Sequence, residues 1–172
     1  MDDGQVVQPQ RIKMDYTIER LPISKAEGAA MLLHNTFVEK FKGPEFEDVV
    51  QRRYGYDRIL YEVLHSYKET FPHSVFFIAQ SEGNVIGVAG LKEVDWALNT
   101  YTLFLAAVNS EYRNQGIGSA LIDARIDYIK EYNPSARLLV STTHKARYEK
   151  FGFKVADLLG HAYTMSLHPS NL

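Results

Sequence analysis

Between Arg113 and Ser119 the chain reads RNQGIGS, with two glycines placed directly ahead of a helix-patterned stretch that ends near Tyr132. An apolar segment, Thr102–Val108 (TLFLAAV), runs into this turn. A strand that enters a glycine turn and leaves as a helix presents several unpaired backbone N–H groups at the helix start. Those donors and the positive end of the helix dipole converge on one point, which suits a phosphate group. Two phosphate-binding patterns fail here. A P-loop needs GxxxxGK followed by Ser or Thr, and the chain contains no such string. A dinucleotide fold needs G-x-G-x-x-G after its first strand. Here Leu121 stands where the third glycine belongs, and the turn comes about two-thirds along the chain.

The turn must be held by the elements on either side of it. Residues Met14–Leu21 alternate as a short strand does, and Pro22 ends it. Ser24 is positioned to cap a helix whose apolar face is Ala26, Ala29, Ala30, Leu33 and Phe37. Gly43-Pro44 breaks that helix. A second helical region follows, with Leu60, Val63, Leu64 and Tyr67 at helical spacing, Gly55 as a division point and Pro72 as its end. Then the period changes to that of strands: Ser74–Gln80, the hairpin turn SEGN, Val85–Leu91, a looser turn near Trp96, and Tyr101–Val108. Strands joined by such short turns run antiparallel. The helix after the glycine turn, 116–131, carries Ile117, Ala120, Leu121, Ala124 and Tyr128 on one face and stops at Asn133-Pro134. A strand at 137–141, a short helix at 145–150 and strands at 153–157 and 163–167 complete the pattern. Because a helix separates it from its predecessor, the strand at 137–141 is expected to lie parallel to it. The reading is a mixed α/β (α+β) sheet flanked by helices, antiparallel in its first half with one parallel crossover at the glycine turn.

Composition narrows the class further. A length of 172 residues suits one domain, taken as 14–172, with residues 1–13 read as a flexible arm that lacks the apolar core of a signal peptide. No apolar run approaches the ~18 residues needed to span a bilayer. A net charge of −2 gives no electrostatic footprint for nucleic acid. The chain has no Cys, which removes disulfides, thiolate metal sites and a Cys nucleophile together. The expectation is a cytoplasmic protein with no metal, no membrane partner and no nucleic-acid partner.

The string Arg113-Asn114-Gln115-Gly116-Ile117-Gly118 fits [Q/R]-x-x-G-x-[G/A], and about thirty residues later comes Arg147-Tyr148-Glu149-Lys150-Phe151-Gly152-Phe153. This combination resembles the GNAT superfamily of acyl-CoA-dependent N-acetyltransferases, over residues ~14–167 in element order and most strongly from 101 to 153. The resemblance implies that acetyl-CoA is the cosubstrate. The backbone of Gln115, Gly116, Ile117, Gly118 and Ser119 would hold its pyrophosphate, with Arg113 and Asn114 beside it. It also implies that strand 101–108 splays from its parallel neighbour and that Ala106 and Val108 pair with the pantetheine arm. The Val108 N–H would polarise the thioester carbonyl, and Tyr148 would serve as general acid to the departing thiolate. A hydroxyl, Ser141, stands where the family often carries an Asn that contacts the arm.

No carboxylate lies on the strand segment Leu103–Ala107, where many family members carry a Glu that acts as base through water. Glu93, Asp95 and His144 are the candidates elsewhere. His144 offers an imidazole that could take a proton, although a His near a helix start is commonly a surface residue. Tyr54, Tyr56, Tyr61, Tyr67 and Trp96 could line an acceptor pocket or simply complete the core. The acceptor is a small-molecule or peptide amine, a homodimer is compatible with the family, and a CoA-binding module without turnover is the alternative to an enzyme.

Overall fold

A computed structural model describes residues 14–68 and 71–172, so the arm expected at 1–13 lies outside the described residues. The strands are β1 (Thr17–Arg20), β2 (Ser74–Ser81), β3 (Asn84–Glu93), β4 (Thr100–Val108), β5 (Arg137–Thr142), β6 (Lys154–Leu159) and β7 (Ala162–Leu167). The α-helices are α1 (Ala26–Lys40), α2 (Glu47–Tyr54), α3 (Tyr56–His65), α4 (Ile117–Tyr132) and α5 (Lys145–Glu149). The strands form one sheet in the order β1-β2-β3-β4-β5-β7-β6. All neighbours are antiparallel except β4 and β5, which α4 connects. The hairpin between β2 and β3 turns on Glu82 and Gly83, both at positive φ (50° and 80°), the twist that two-residue hairpins favour.

Helices cover both faces of the sheet. On one face α1 buries Ala26, Ala29, Ala30 and Leu33, and α3 buries Ile59 and Val63, against Phe76, Ile78 and Val88. Three details depart from the sequence reading. A 3-10 turn, Ile23–Lys25, leads into α1 without a side-chain cap, so Ser24 does not cap it. In α3 Ile59 is buried beside the expected Val63, while Leu64 is 42% exposed. On the other face α4 buries Ile117, Leu121, Ile122, Arg125, Ile126 and Ile129, a stripe rotated from the expected one, with Ala120, Ala124 and Tyr128 at its margin.

Two contacts fix the part of the sheet that matters for chemistry. Ile117 opens α4 and packs on Gly87 of β3, where a Cβ would come within 2.9 Å of its Cγ2. Glycine at 87 thus lets the head of α4 settle on the sheet. Next, the β3–β4 register jumps from Gly90↔Phe104 to Val88↔Ala107, so β4 carries an extra residue there. Leu105, inside this bulge, has φ +43°. A left-handed leucine costs roughly 1–2 kcal/mol and persists only where the surroundings impose it. A bulge bends its strand. The β4–β5 ladder ends at Leu103↔Val140, just before the bulge, although β4 runs on to Val108 and β5 to Thr142. The two parallel strands therefore splay, and a gap opens between them.

Candidate active site

Strand alternation determines what faces the gap. The Asn109 N–H donates to the Ile86 carbonyl on β3 (2.9 Å), and Val108 pairs with Gly87. Neighbouring residues of a strand direct their N–H and C=O groups to opposite edges. Val108 therefore turns its N–H and C=O away from β3, toward the gap. Its carbonyl accepts from Arg113 Nε at 3.2 Å, which draws that side chain across the mouth of the turn. Ala106 is exposed on the same stretch. On the opposite wall Ser141, also exposed, pairs with Thr164 of β7 along its other edge.

The glycine turn closes one end of the gap. Asn114 and Gly116 both have positive φ (63° and 84°), and Gly116 is the N-cap of α4. The first helical bond runs from the Ala120 N–H to the Gly116 carbonyl (3.0 Å), so the N–H groups of Ile117, Gly118 and Ser119 precede the helical ladder. No side chain caps this helix, and its first turn carries no acidic residue. A Cβ on Gly118 would have no atom within 4 Å. The Ile117 side chain is buried, so it offers the cradle only its backbone. An uncapped helix start with open space before it and an Arg alongside fits a phosphate.

Tyr148 lies on α5, the helix that follows β5. The following residues end α5 by a pair of bonds: Gly152 N–H to the Glu149 carbonyl (3.0 Å) and Phe153 N–H to the Tyr148 carbonyl (3.2 Å). Gly152 adopts φ +85°, which completes a Schellman cap. Phe153, buried, meets the Tyr148 ring edge-on with centroids 5.6 Å apart. The string YEKFGF thus orients Tyr148 through its backbone and its ring while the side chain stays half-buried.

The family model described as the Acetyltransferase (GNAT) family matches residues 35–153. The chain belongs to the GNAT acetyltransferase family. An N-alpha-acetyltransferase from Sulfurisphaera tokodaii is 28% identical over 152 residues, spanning 74% of this chain and 91% of the relative. Human N-acetyltransferase 8 is 32% identical over 88 residues, 47% of this chain and 39% of that protein. Among solved structures, the PaiA N-acetyltransferase from Thermoplasma acidophilum in complex with coenzyme A superposes with a TM-score of 0.72 at 21% identity, covering 90% of this chain and 99% of that one. This GNAT chain is an N-acetyltransferase. Among the described residues, no helix is long and apolar enough to cross a membrane.

Several candidate residues of this GNAT chain lie away from the gap. Glu93 pairs with Tyr101, at the opposite end of β4 from Val108, and its carboxylate accepts from the His73 N–H (3.2 Å). At about 3.3 Å per residue it is about 20 Å from the open end. Asp95 and Trp96 belong to the β3–β4 turn at that same far end, where Trp96 is 77% exposed. His144 precedes α5 at the open end of β5. Its backbone N–H donates to Thr142 Oγ1 (2.9 Å), and its side chain is exposed with no capping bond. Of the tyrosines, Tyr67 donates to the Leu21 carbonyl (2.9 Å), and Tyr54 stacks on Phe37 (4.2 Å) and Phe41 (5.5 Å). Both are structural. Tyr56 meets His34 edge-on and Tyr61 is exposed against His65.

Arg125 escaped the sequence reading. It is the one charged side chain buried among the described residues, at 1% exposure. Nε donates to the Leu121 carbonyl (2.9 Å) and Nη1 to the Gly90 carbonyl (3.2 Å). Burial lowers the guanidinium pKa to about 10 and Tyr148 opposes the fall, so the group remains cationic at neutral pH. One signal was available: residue 125 lies four residues after Leu121, on the apolar stripe.

Proposed function

We propose that this chain, taken as one domain over 14–172, transfers the acetyl group of acetyl-CoA to a primary amine by direct attack in a ternary complex. The acceptor class we assign is the α-amine of a peptide or protein, and the compartment the cytoplasm. The observation that carries the reading is the end of the β4–β5 ladder at Leu103↔Val140, with the uncapped start of α4 after β4 and the α5 helix that carries Tyr148 after β5. Backbone N–H groups of Gln115 through Ser119 bind the pyrophosphate, aided by Asn114 and by the Arg113 guanidinium. Ala106 and Val108 offer a strand edge beyond the β5 ladder to the amides of the pantetheine arm, and Ser141 a hydroxyl from the other wall.

Three groups then divide the reaction. The Val108 N–H donates to the thioester carbonyl as the amine nitrogen attacks, stabilising charge on that oxygen. Tyr148 gives its proton to the sulfur as the C–S bond breaks, and the new C–N bond is an amide. His144 takes the proton the amine loses. The acceptor class is supported by the N-alpha-acetyltransferase likeness, which spans 91% of that relative, against 39% for N-acetyltransferase 8.

Thiol release from acetyl-CoA over a panel of acceptors tests the reading. Peptides with free N-termini are expected to drive release, and blocking the N-terminus to abolish it. Release with polyamines or amino sugars but not with peptides would overturn the acceptor class. CoA binding without acceptor-dependent release from any amine would overturn the catalytic reading.

A further inference from the structure

A buried cation is costly unless it is paired, and among the described residues no carboxylate lies within ion-pair distance of Arg125. The other buried side chains of α4 are all apolar, so packing gives no reason for a charge among them. The reason lies in where its donors go. Nε stays on its own helix, at the Leu121 carbonyl, while Nη1 crosses to the Gly90 carbonyl of β3. That carbonyl points toward β4: Val94 donates its N–H to the Thr100 carbonyl (2.8 Å), and Gly90 shares its alternation. Gly90 pairs with Phe104, the last register before the bulge that contains Leu105. From the face opposite α4, two rings close on the same residue. A Cβ at Gly90 would lie 2.7 Å from Phe104 Cε1 and 2.8 Å from Phe76 Cε1. Gly90 is thus held between two aromatic rings and a guanidinium.

We propose that Arg125 is a positioning residue for the acyl-CoA arm. By fixing the Gly90 carbonyl it holds Phe104 in register, so the extra residue of β4 falls at 105–106. There β4 parts from β5. The proposal rests on the reading given above that the pantetheine arm lies between the splayed strands. Left-handed Leu105 strains the bulge, and strain of this kind persists only where the surroundings oppose its relaxation. A charge-assisted hydrogen bond, stronger than a neutral one, supplies that opposition from α4. Ala106 and Val108, the residues assigned to the arm, follow on β4 and take their placement from this anchor.

Titrations with CoA and with 3′-phospho-ADP, which keeps every phosphate of CoA and lacks the arm, separate this role from a general structural one. The native enzyme is expected to bind CoA at least about tenfold more tightly than the fragment. In Arg125→Met that advantage should fall to about twofold or less, with affinity for the fragment changed by less than about twofold. Arg125→Lys, which keeps the charge and a donor, should recover most of the advantage. Proportional losses for both ligands, or an undiminished advantage for CoA, would overturn the proposal and leave the gap reading intact. A native enzyme that binds CoA no better than the fragment would overturn both. If Arg125→Met fails to fold, the Arg125 side-chain 1H–15N signals of the native enzyme decide the matter. They should shift when CoA binds and stay in place when the fragment binds. Equal shifts with both ligands, or none with either, would overturn the proposal.

Discussion

Replacing Tyr148 by Phe is expected to lower kcat by about 10²–10⁴-fold, the range a positioned general acid contributes. The substitution isolates the proton because almost everything that holds the residue is untouched. The ring keeps its edge-on contact with Phe153, and the cap that ends α5 uses the Tyr148 backbone carbonyl, not the hydroxyl. Affinity for CoA should stay within about twofold, since the phosphate cradle lies on another element. What disappears is the donor to sulfur. Steady-state thiol release with a saturating acceptor, together with a thermal melt, reads both quantities. Turnover equal to the parent at every pH would remove Tyr148 from the chemistry. A large loss of CoA affinity with kcat preserved would make it a binding residue instead.

Gly118→Asp should move stability and binding in opposite directions. The position is the second residue of α4, with open space where a side chain would begin and no acidic residue in the first turn. A carboxylate there meets the positive end of the helix dipole and is expected to stabilise the fold by about 0.3–1 kcal/mol. The same carboxylate occupies the point on which the free N–H groups converge. Juxtaposed like charges cost several kcal/mol, so the Kd for CoA should rise by about 100-fold or more. Calorimetric titration with CoA and a melting curve measure the two effects side by side. Unchanged affinity would place the pyrophosphate away from the start of α4.

Local chemistry made much of this legible in the sequence. The three-strand meander announced itself by alternation and by the turn at Glu82-Gly83, and the phosphate site by Gly116 and Gly118 before a helical stretch. YEKFGF was readable as a string because its glycine is a backbone requirement, the left-handed residue of the cap on α5. Other features depend on contacts that no local pattern encodes. Leu105 takes φ +43° with neither Gly nor Asn to signal it, because the bulge is imposed by the register on both sides. Arg125 reads as a surface residue until the Gly90 carbonyl, thirty-five residues away, is placed beside it. Glu93 and Trp96 were plausible site residues only while the direction of β4 relative to the gap was unknown. Ile59 displaced Leu64 from the core through a small rotation of α3, a shift that periodicity alone does not resolve.

Direct transfer within a ternary complex is the claim on which the assigned roles depend. With no Cys in the chain, no thiolate is available to carry an acyl group. Initial velocities measured with acetyl-CoA and a peptide acceptor varied together test it most directly. The predicted result is a set of intersecting reciprocal plots, one N-acetylated peptide formed per thiol released, and enzyme of unchanged mass after incubation with acetyl-CoA alone. Parallel plots together with an acetyl group retained on the protein would contradict it.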